Sequence, residues 1–231
     1  MKSTAITVNQ THLMLDPRGG LFWPDRHLLV VSDLHFEKGS HFAAHGVPLP
    51  PYDTAATLQV LAQMIAAWQP KTIVSLGDSF HDRTSIERMT KPDRAQLIEM
   101  IAVHEWVWIT GNHDDDIGQA LGGHAAAEWI LGGLCFRHEA LGRPVAGEIS
   151  GHYHPKAQVR HRGQRLSGRC FLADGQRLIL PALGAFTGGL DATEPVYRRF
   201  FVNAFYAHIM VRERIISVPH KRLEVPQRLR R

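Results

Sequence analysis

Five short apolar runs in this 231-residue chain each stop abruptly at a residue able to bind a cation. Leu28-Leu29-Val30-Val31-Ser32 runs into Asp33-Leu34-His35, and Thr72-Ile73-Val74-Ser75-Leu76 runs into Gly77-Asp78-Ser79-Phe80-His81-Asp82. Trp106-Val107-Trp108-Ile109-Thr110 ends at Gly111-Asn112-His113-Asp114. Leu134-Cys135-Phe136 ends at Arg137-His138, and Ala146-Gly147-Glu148-Ile149-Ser150 at Gly151-His152-Tyr153-His154. Runs this short, rich in β-branched and aromatic residues and bounded by glycine or carboxylate, read as buried strands. An open α/β sheet presents ligand-binding loops where its strands end. The fivefold recurrence therefore demands a fold that brings several strand ends to one rim.

The rest of the chain fits such a fold. Residues 5–31 predict a β-hairpin turning at Asp16-Pro17-Arg18-Gly19-Gly20. A long loop carrying Gly39, Gly46 and Pro48-Leu49-Pro50-Pro51 follows Asp33-Leu34-His35. Asp53 is placed to cap a helix over Thr54–Trp68, with Leu58, Leu61, Ala62 and Ile65 on its apolar stripe and Pro70 beyond its end. A second helix is expected from about Pro92 to His104, burying Leu97, Ile98 and Ile101. The order β–α–β–α–β is that of a parallel sheet covered by helices. Beyond Glu128 the pattern changes to short strands at 128–131, 134–137, 146–150, 157–161, 166–172 and 177–181, with a late pair at 198–203 and 205–217. One domain over residues 1–217 is expected, with a basic mobile tail from 218 to 231.

Composition narrows the class. No run approaches the roughly 18 apolar residues of a membrane span, and Met1–Thr7 lacks an apolar signal core. Cys135 and Cys170 sit in separate apolar runs, so they read as core residues in a reducing compartment, and a cytoplasmic location is expected. Net charge is +4, but residues 1–136 carry −6 and residues 137–231 carry +10. An acidic first half supplies carboxylates to cations. A basic second half, with Arg160, Arg162, Arg165, Arg169 and Arg177 in one segment, suits a polyanion nearby.

The candidate donors are Asp33, His35, Asp78, Asn112, His138, His152 and His154. Carboxylate and amide oxygens mixed with imidazoles suit Mn²⁺, Fe or Zn²⁺. In extended backbone, residues i and i+2 point the same way, so Asp33 with His35, and His152 with His154, can each address one place. Seven donors exceed one ion and suit two sharing a carboxylate. Two cations about 3.5–4 Å apart can clamp the attacking and leaving oxygens of an in-line displacement at phosphorus.

Asp-x-His, Gly-Asp-x-x-His, Gly-Asn-His-Asp, a lone strand-end His and Gly-His-x-His, in this order over residues 33–154, resemble the calcineurin-like metallophosphoesterase superfamily. The stretches 32–39, 47–50, 152–155 and 180–189 further resemble the bacterial ligase-associated DNA-damage-response endonucleases. The resemblance implies a four-layer α-β-β-α sandwich with a dinuclear site at the strand C-terminal ends. It implies one metal, most often Mn²⁺, on Asp33, His35, Asp78 and His154, and a second on Asp78, Asn112, His138 and His152. His113 would act on the phosphate with Asp114 orienting its ring, and His81 resembles a histidine that positions phosphodiesters. The activity implied is Mn²⁺-dependent phosphodiester hydrolysis on single-stranded or flapped DNA in repair, with a functional link to a ligase, helicase or exonuclease. The rival readings are a hydrolase of small nucleotide-type diesters or monoesters, and a metal-free scaffold of the same fold. His41 and His45 imitate a helical metal pair, but Gly39 and Gly46 argue for a loop that leaves both facing solvent. His124 is a rival to His138 but has no apolar strand before it. Trp106 and Trp108 read as core.

Overall fold

A computed structural model describes residues 2–47, 49–112, 120–161, 163–201 and 204–225. The first sheet begins with an antiparallel meander of β1 (Thr4–Val8), β2 (Thr11–Leu15), β3 (Leu21–Trp23) and β4 (Leu28–Val31). The single hairpin expected over 5–31 is thus three in succession, each expected arm being itself folded back. Asn9 and Gln10 take φ of 45° and 63° and turn β1 into β2, a left-handed pair that continuous apolar alternation on either side conceals.

The chain then passes through α1 (Lys38–Ala44) and α2 (Asp53–Trp68) to β5 (Thr72–Leu76). It continues through the single turn α3 (Ser85–Arg88) and α4 (Lys91–Ala102) to β6 (Glu105–Ile109) and β7 (His124–Ala126). From β4 to β7 the strands are parallel neighbours in sequence order. Asp53 belongs to α2, but its carboxylate accepts from the Gly39 amide at 2.8 Å instead of capping its own helix. Thr90 caps α4 by accepting from the Asp93 amide. Ile98, expected on the buried side, is 40% exposed, while Leu97 and Ile101 are buried.

The second sheet holds β8 (Glu128–Leu131), β9 (Leu134–Arg137), β10 (Glu148–Ser150), β11 (Lys156–His161), β12 (Gln164–Ala173), β13 (Arg177–Ile179), β14 (Tyr206–Val211) and β15 (Arg214–Pro219). Its order is β15-β14-β12-β13-β10-β9-β8, with β11 paired to β12. Only β10 runs parallel to its neighbours, β9 and β13. Val218, where the sequence places the start of the tail, is buried within β15. The Glu224 amide is hydrogen-bonded to the Gln158 carbonyl.

The two sheets share a core in which Val30, Val74, Val107 and Ile109 meet Phe136, Ile149, Phe171 and Leu178. On the other face of the first sheet, Leu58, Leu61 and Met64 of α2 and Leu97 and Ile101 of α4 cover Leu29, Ile73, Trp106 and Trp108. Truncating one such buried leucine to alanine costs about 2–5 kcal/mol. The outer face of the second sheet is covered by Tyr197, Phe200, Phe201 and Phe205. Pro195–Arg199 is a 3₁₀ helix running into the start of the strand expected at 198–203, of which residues 202 and 203 lie outside the described residues. Buried aromatics at 197, 200 and 201 recur at helical spacing, which the β-rich composition masks.

Candidate metal centre

Strand register brings the donors together. In the first sheet Val31 pairs with Ser75 and Leu76 with Ile109, so the segments carrying Asp33, Asp78 and Asn112 leave adjacent parallel strands at one end. In the second sheet Arg137 pairs with Ser150, which sets His138 beside Gly151-His152. The Asp33 amide donates to the Gly77 carbonyl within the first rim, and two hydrogen bonds join the rims: the His152 amide to Asp33 Oδ2 at 3.0 Å and the Gly184 amide to the Asp33 carbonyl.

The donors form two groups, each with ligand atoms within 4.8 Å of one another: Asp33, His35 and His154, and Asp78, His138 and His152. In the first, His154 Nε2 lies 3.1 Å from Asp33 Oδ1 and 3.4 Å from His35 Nε2. In the second, His138 Nε2 lies 3.5 Å from Asp78 Oδ2 and 3.0 Å from His152 Nδ1. The groups touch through His138, whose Nδ1 is 4.0 Å from Asp33 Oδ1. Asn112 reaches the second group by its backbone, donating its amide to Asp78 Oδ1 at 3.0 Å. His152 and His154 therefore divide between the groups.

The route to this geometry differs from the extended one expected. Asp33, His35, Asp78, His152 and His154 all have positive φ, between 44° and 70°. Such backbone costs a non-glycine residue about 1–2 kcal/mol and concentrates where function over-determines geometry. Asp and His tolerate it better than branched residues. Two glycines admit the crowding. A Cβ on Gly77, at φ 73°, would lie 2.5 Å from His138 Nδ1, and one on Gly151 would meet Ser32 Oγ and approach Asp33 Oδ2 to 2.6 Å.

Electrostatics suit a cation. Burial opposes ionisation of Asp33, but the His154 hydrogen bond and the charges of His154 and His138 outweigh it and hold the carboxyl below its usual range. Burial pushes the His35 imidazole down to about 3, and burial with His138 lowers that of His152. The His138 Nδ1 donates to the Leu76 carbonyl at 2.8 Å, which fixes the ring with Nε2 turned toward Asp78 and His152. Carboxylate oxygens and imidazole nitrogens thus converge on one another, the donor set that a divalent cation satisfies.

His81 stands beside the first group, its ring centroid 5.9 Å from that of His35. Residues 113–119 lie outside the described residues, and with them His113 and Asp114. His124 is exposed at the start of β7 and joins neither group. The arginine segment divides. Arg177 is 1% exposed and spent on Glu148 at 2.8 Å and the Phe200 and Arg143 carbonyls, and Arg169 donates to the Ala182 and Leu183 carbonyls. Arg160 and Arg165 are exposed, and Arg162 lies outside the described residues.

His41 was missed as a neighbour of the site. The span from Lys38 to Ala44 is helical, so His41 is turned onto His81 and Asp82 and is only partly exposed, whereas His45 faces solvent as expected. The Lys-Gly-Ser-His-Phe-Ala-Ala stretch lacks a capping residue, since Glu37 enters the helix in left-handed backbone. The one available signal was the i, i+4 spacing of His41 and His45.

No helix among the described residues is long and apolar enough to cross a membrane. No curated protein sequence matches the chain significantly. Among solved structures, the crystal structure of the Pseudomonas putida nuclease MPE is similar, with 28% identity over 94% of this chain and 100% of that one and a TM-score of 0.71. The Escherichia coli phosphoesterase YfcE is more distant, with 17% identity, coverage of 83% and 97%, and a TM-score of 0.41. The calcineurin-like phosphoesterase profile matches residues 26–209. Most of the length is thus accounted for by one family, and the chain belongs to the calcineurin-like phosphoesterases.

Proposed function

We propose that this chain is a Mn²⁺-dependent phosphodiesterase that cleaves DNA, acting as an endonuclease on single-stranded or flapped substrate in repair. The observation that carries the reading is the pair of adjoining His/Asp groups on a chain similar over nearly its whole length to a nuclease. One cation would be held by Asp33, His35, Asp78 and His154, the other by Asp78, Asn112, His138 and His152, with Asp78 shared. Once bound, two such cations supply an activated water and neutralise charge on phosphate oxygens. The mixed oxygen and nitrogen donors favour Mn²⁺ over Mg²⁺, with Zn²⁺ and Fe as competitors.

The remaining steps fall to side chains. Ser32 and the His152 amide hold Asp33 Oδ2, and Leu76 fixes the His138 ring, so the donors are oriented before substrate arrives. His81 would hold a non-bridging oxygen of the diester, and His113, oriented by Asp114, would protonate the leaving oxygen. Arg160 and Arg165 would meet the polyanion outside the site.

The test is metal-free protein reconstituted with Mn²⁺, Zn²⁺, Fe²⁺ or Mg²⁺ and assayed on circular single-stranded DNA, bis(4-nitrophenyl) phosphate and 4-nitrophenyl phosphate. The expected result is Mn²⁺-dependent opening of the circle, with binding that weakens steeply as salt rises. Cleavage of the small esters alone, with DNA untouched, would reassign the chain to nucleotide-sized substrates. Failure on every substrate and metal would favour the scaffold.

A further inference from the structure

A chain of polar contacts runs from the surface of α1 to the flank of the metal centre. Arg88 of α3 grips Asp82 at 2.5 Å and donates to Ser40 of α1 at 3.0 Å. Asp82 in turn accepts from His41 Nδ1 at 2.8 Å. The Arg88, Thr84 and His41 hydrogen bonds outweigh burial and hold the Asp82 carboxyl well below its usual range, so it acts purely as an acceptor and fixes which face of His41 turns inward. That ring stands nearly perpendicular to His81, at 78° and 4.5 Å between centroids. Phe42, the next residue of α1, stacks on His81 from another side at 6.0 Å and 26°. On its inner side His81 faces His35.

His81 is thus enclosed by three rings, two of them presented by a seven-residue helix whose attachment to the loop after β5 runs through Asp82. A surface ion pair is seldom worth much, and His41 and Asp82 are about one-third and one-quarter exposed. The arrangement is better accounted for by what it aims than by what it stabilises.

We infer that His41, anchored by Asp82 and Arg88, is a positioning residue that sets the orientation of His81 and through it the preference for phosphodiesters over phosphomonoesters. The inference rests on the reading of His81 as the group that holds the diester. Misplacing such a group by about 1 Å can cost up to 100-fold in rate, so a modest tilt of the His81 ring is enough.

The test uses the Mn²⁺-loaded protein on bis(4-nitrophenyl) phosphate and 4-nitrophenyl phosphate, with bound manganese measured for every variant. His81→Ala should lose diester kcat/KM by about 100-fold with the monoester little changed. His41→Ala and Asp82→Asn should each lose about tenfold on the diester, keep the monoester rate and keep their manganese. The double variant His41→Ala/His81→Ala should be no worse than His81→Ala, because both changes act through one ring. The inference is overturned if His41→Ala is silent, lowers both esters equally, or adds its loss to that of His81→Ala. If His81→Ala itself leaves the diester rate intact, the reading of His81 has failed and the inference falls with it. A defective His81→Ala beside an independent His41→Ala condemns the inference alone.

Discussion

The two halves of the centre are built from similar donors but braced in opposite ways. In the Asp33–His35–His154 group the anion is fixed: Asp33 is fully buried, and its Oδ2 receives the Ser32 hydroxyl at 2.5 Å and the His152 amide. In the Asp78–His138–His152 group an imidazole is fixed, with His138 lying against Gly77 and bound to Leu76. Its carboxylate is steadied by the Asn112 amide, which belongs to the exposed end of the β6 segment. Both carboxylates are buried, Asp33 at 0% and Asp78 at 5% exposed, and the more completely desolvated one gains more from a cation. The Asp33 side should therefore hold the tighter ion, and the Asn112 side the one that exchanges.

The largest expected effect comes from the residue assigned to both ions. Asp78→Ala should lower diester hydrolysis by about 10³-fold or more and reduce bound manganese, as read by elemental analysis of dialysed protein. Asp33→Ala should remove the tight binding step in a calorimetric titration and leave the weaker one. Loss of the weak step alone in that variant would invert the comparison.

Asn112→Ala, which keeps the backbone amide on Asp78 but removes the side-chain oxygen proposed as a ligand, should weaken only the exchanging ion by about 10–100-fold. Activity should then return at high manganese. An unchanged titration would separate Asn112 from the metals.

The two glycines sharpen the contrast further. Gly77→Ala places a methyl on His138 in backbone of positive φ, and Gly151→Ala places one on Ser32 and Asp33. Each should cost about 1–3 kcal/mol in denaturant unfolding. The first should impair the exchanging ion and the second the tight one. Equal damage to both ions by either variant would mean that the halves are not braced separately.

The smallest effect is expected at Tyr153, whose hydroxyl donates to Glu139 at 3.1 Å and ties the segment after β9 to the turn after β10. Tyr153→Phe removes one partly buried hydrogen bond, worth about 1 kcal/mol. Manganese affinity should change less than tenfold.

How much of this was legible in the chain follows from where the determining forces lie. The parallel half was readable because each strand is buried on both faces and ends in a polar residue, as Val74 to Asp78 shows. The division of His152 and His154 between two ions came from family resemblance. Alternation placed both on one side, whereas positive φ at each of them decides the outcome. The turn at Asn9-Gln10 and the helix at 38–44 depend on left-handed backbone at Asn9, Gln10 and Glu37, which apolar periodicity does not register. Arg177 read as surface charge because its partner Glu148 lies 29 positions away in sequence.

The most direct test of the account is a titration of metal-free protein with Mn²⁺ in which bound metal and hydrolysis of bis(4-nitrophenyl) phosphate are followed together. The account predicts two binding steps per chain, with hydrolysis rising along the second. Saturation at a single ion with full activity, or hydrolysis by the metal-free chain, would contradict it.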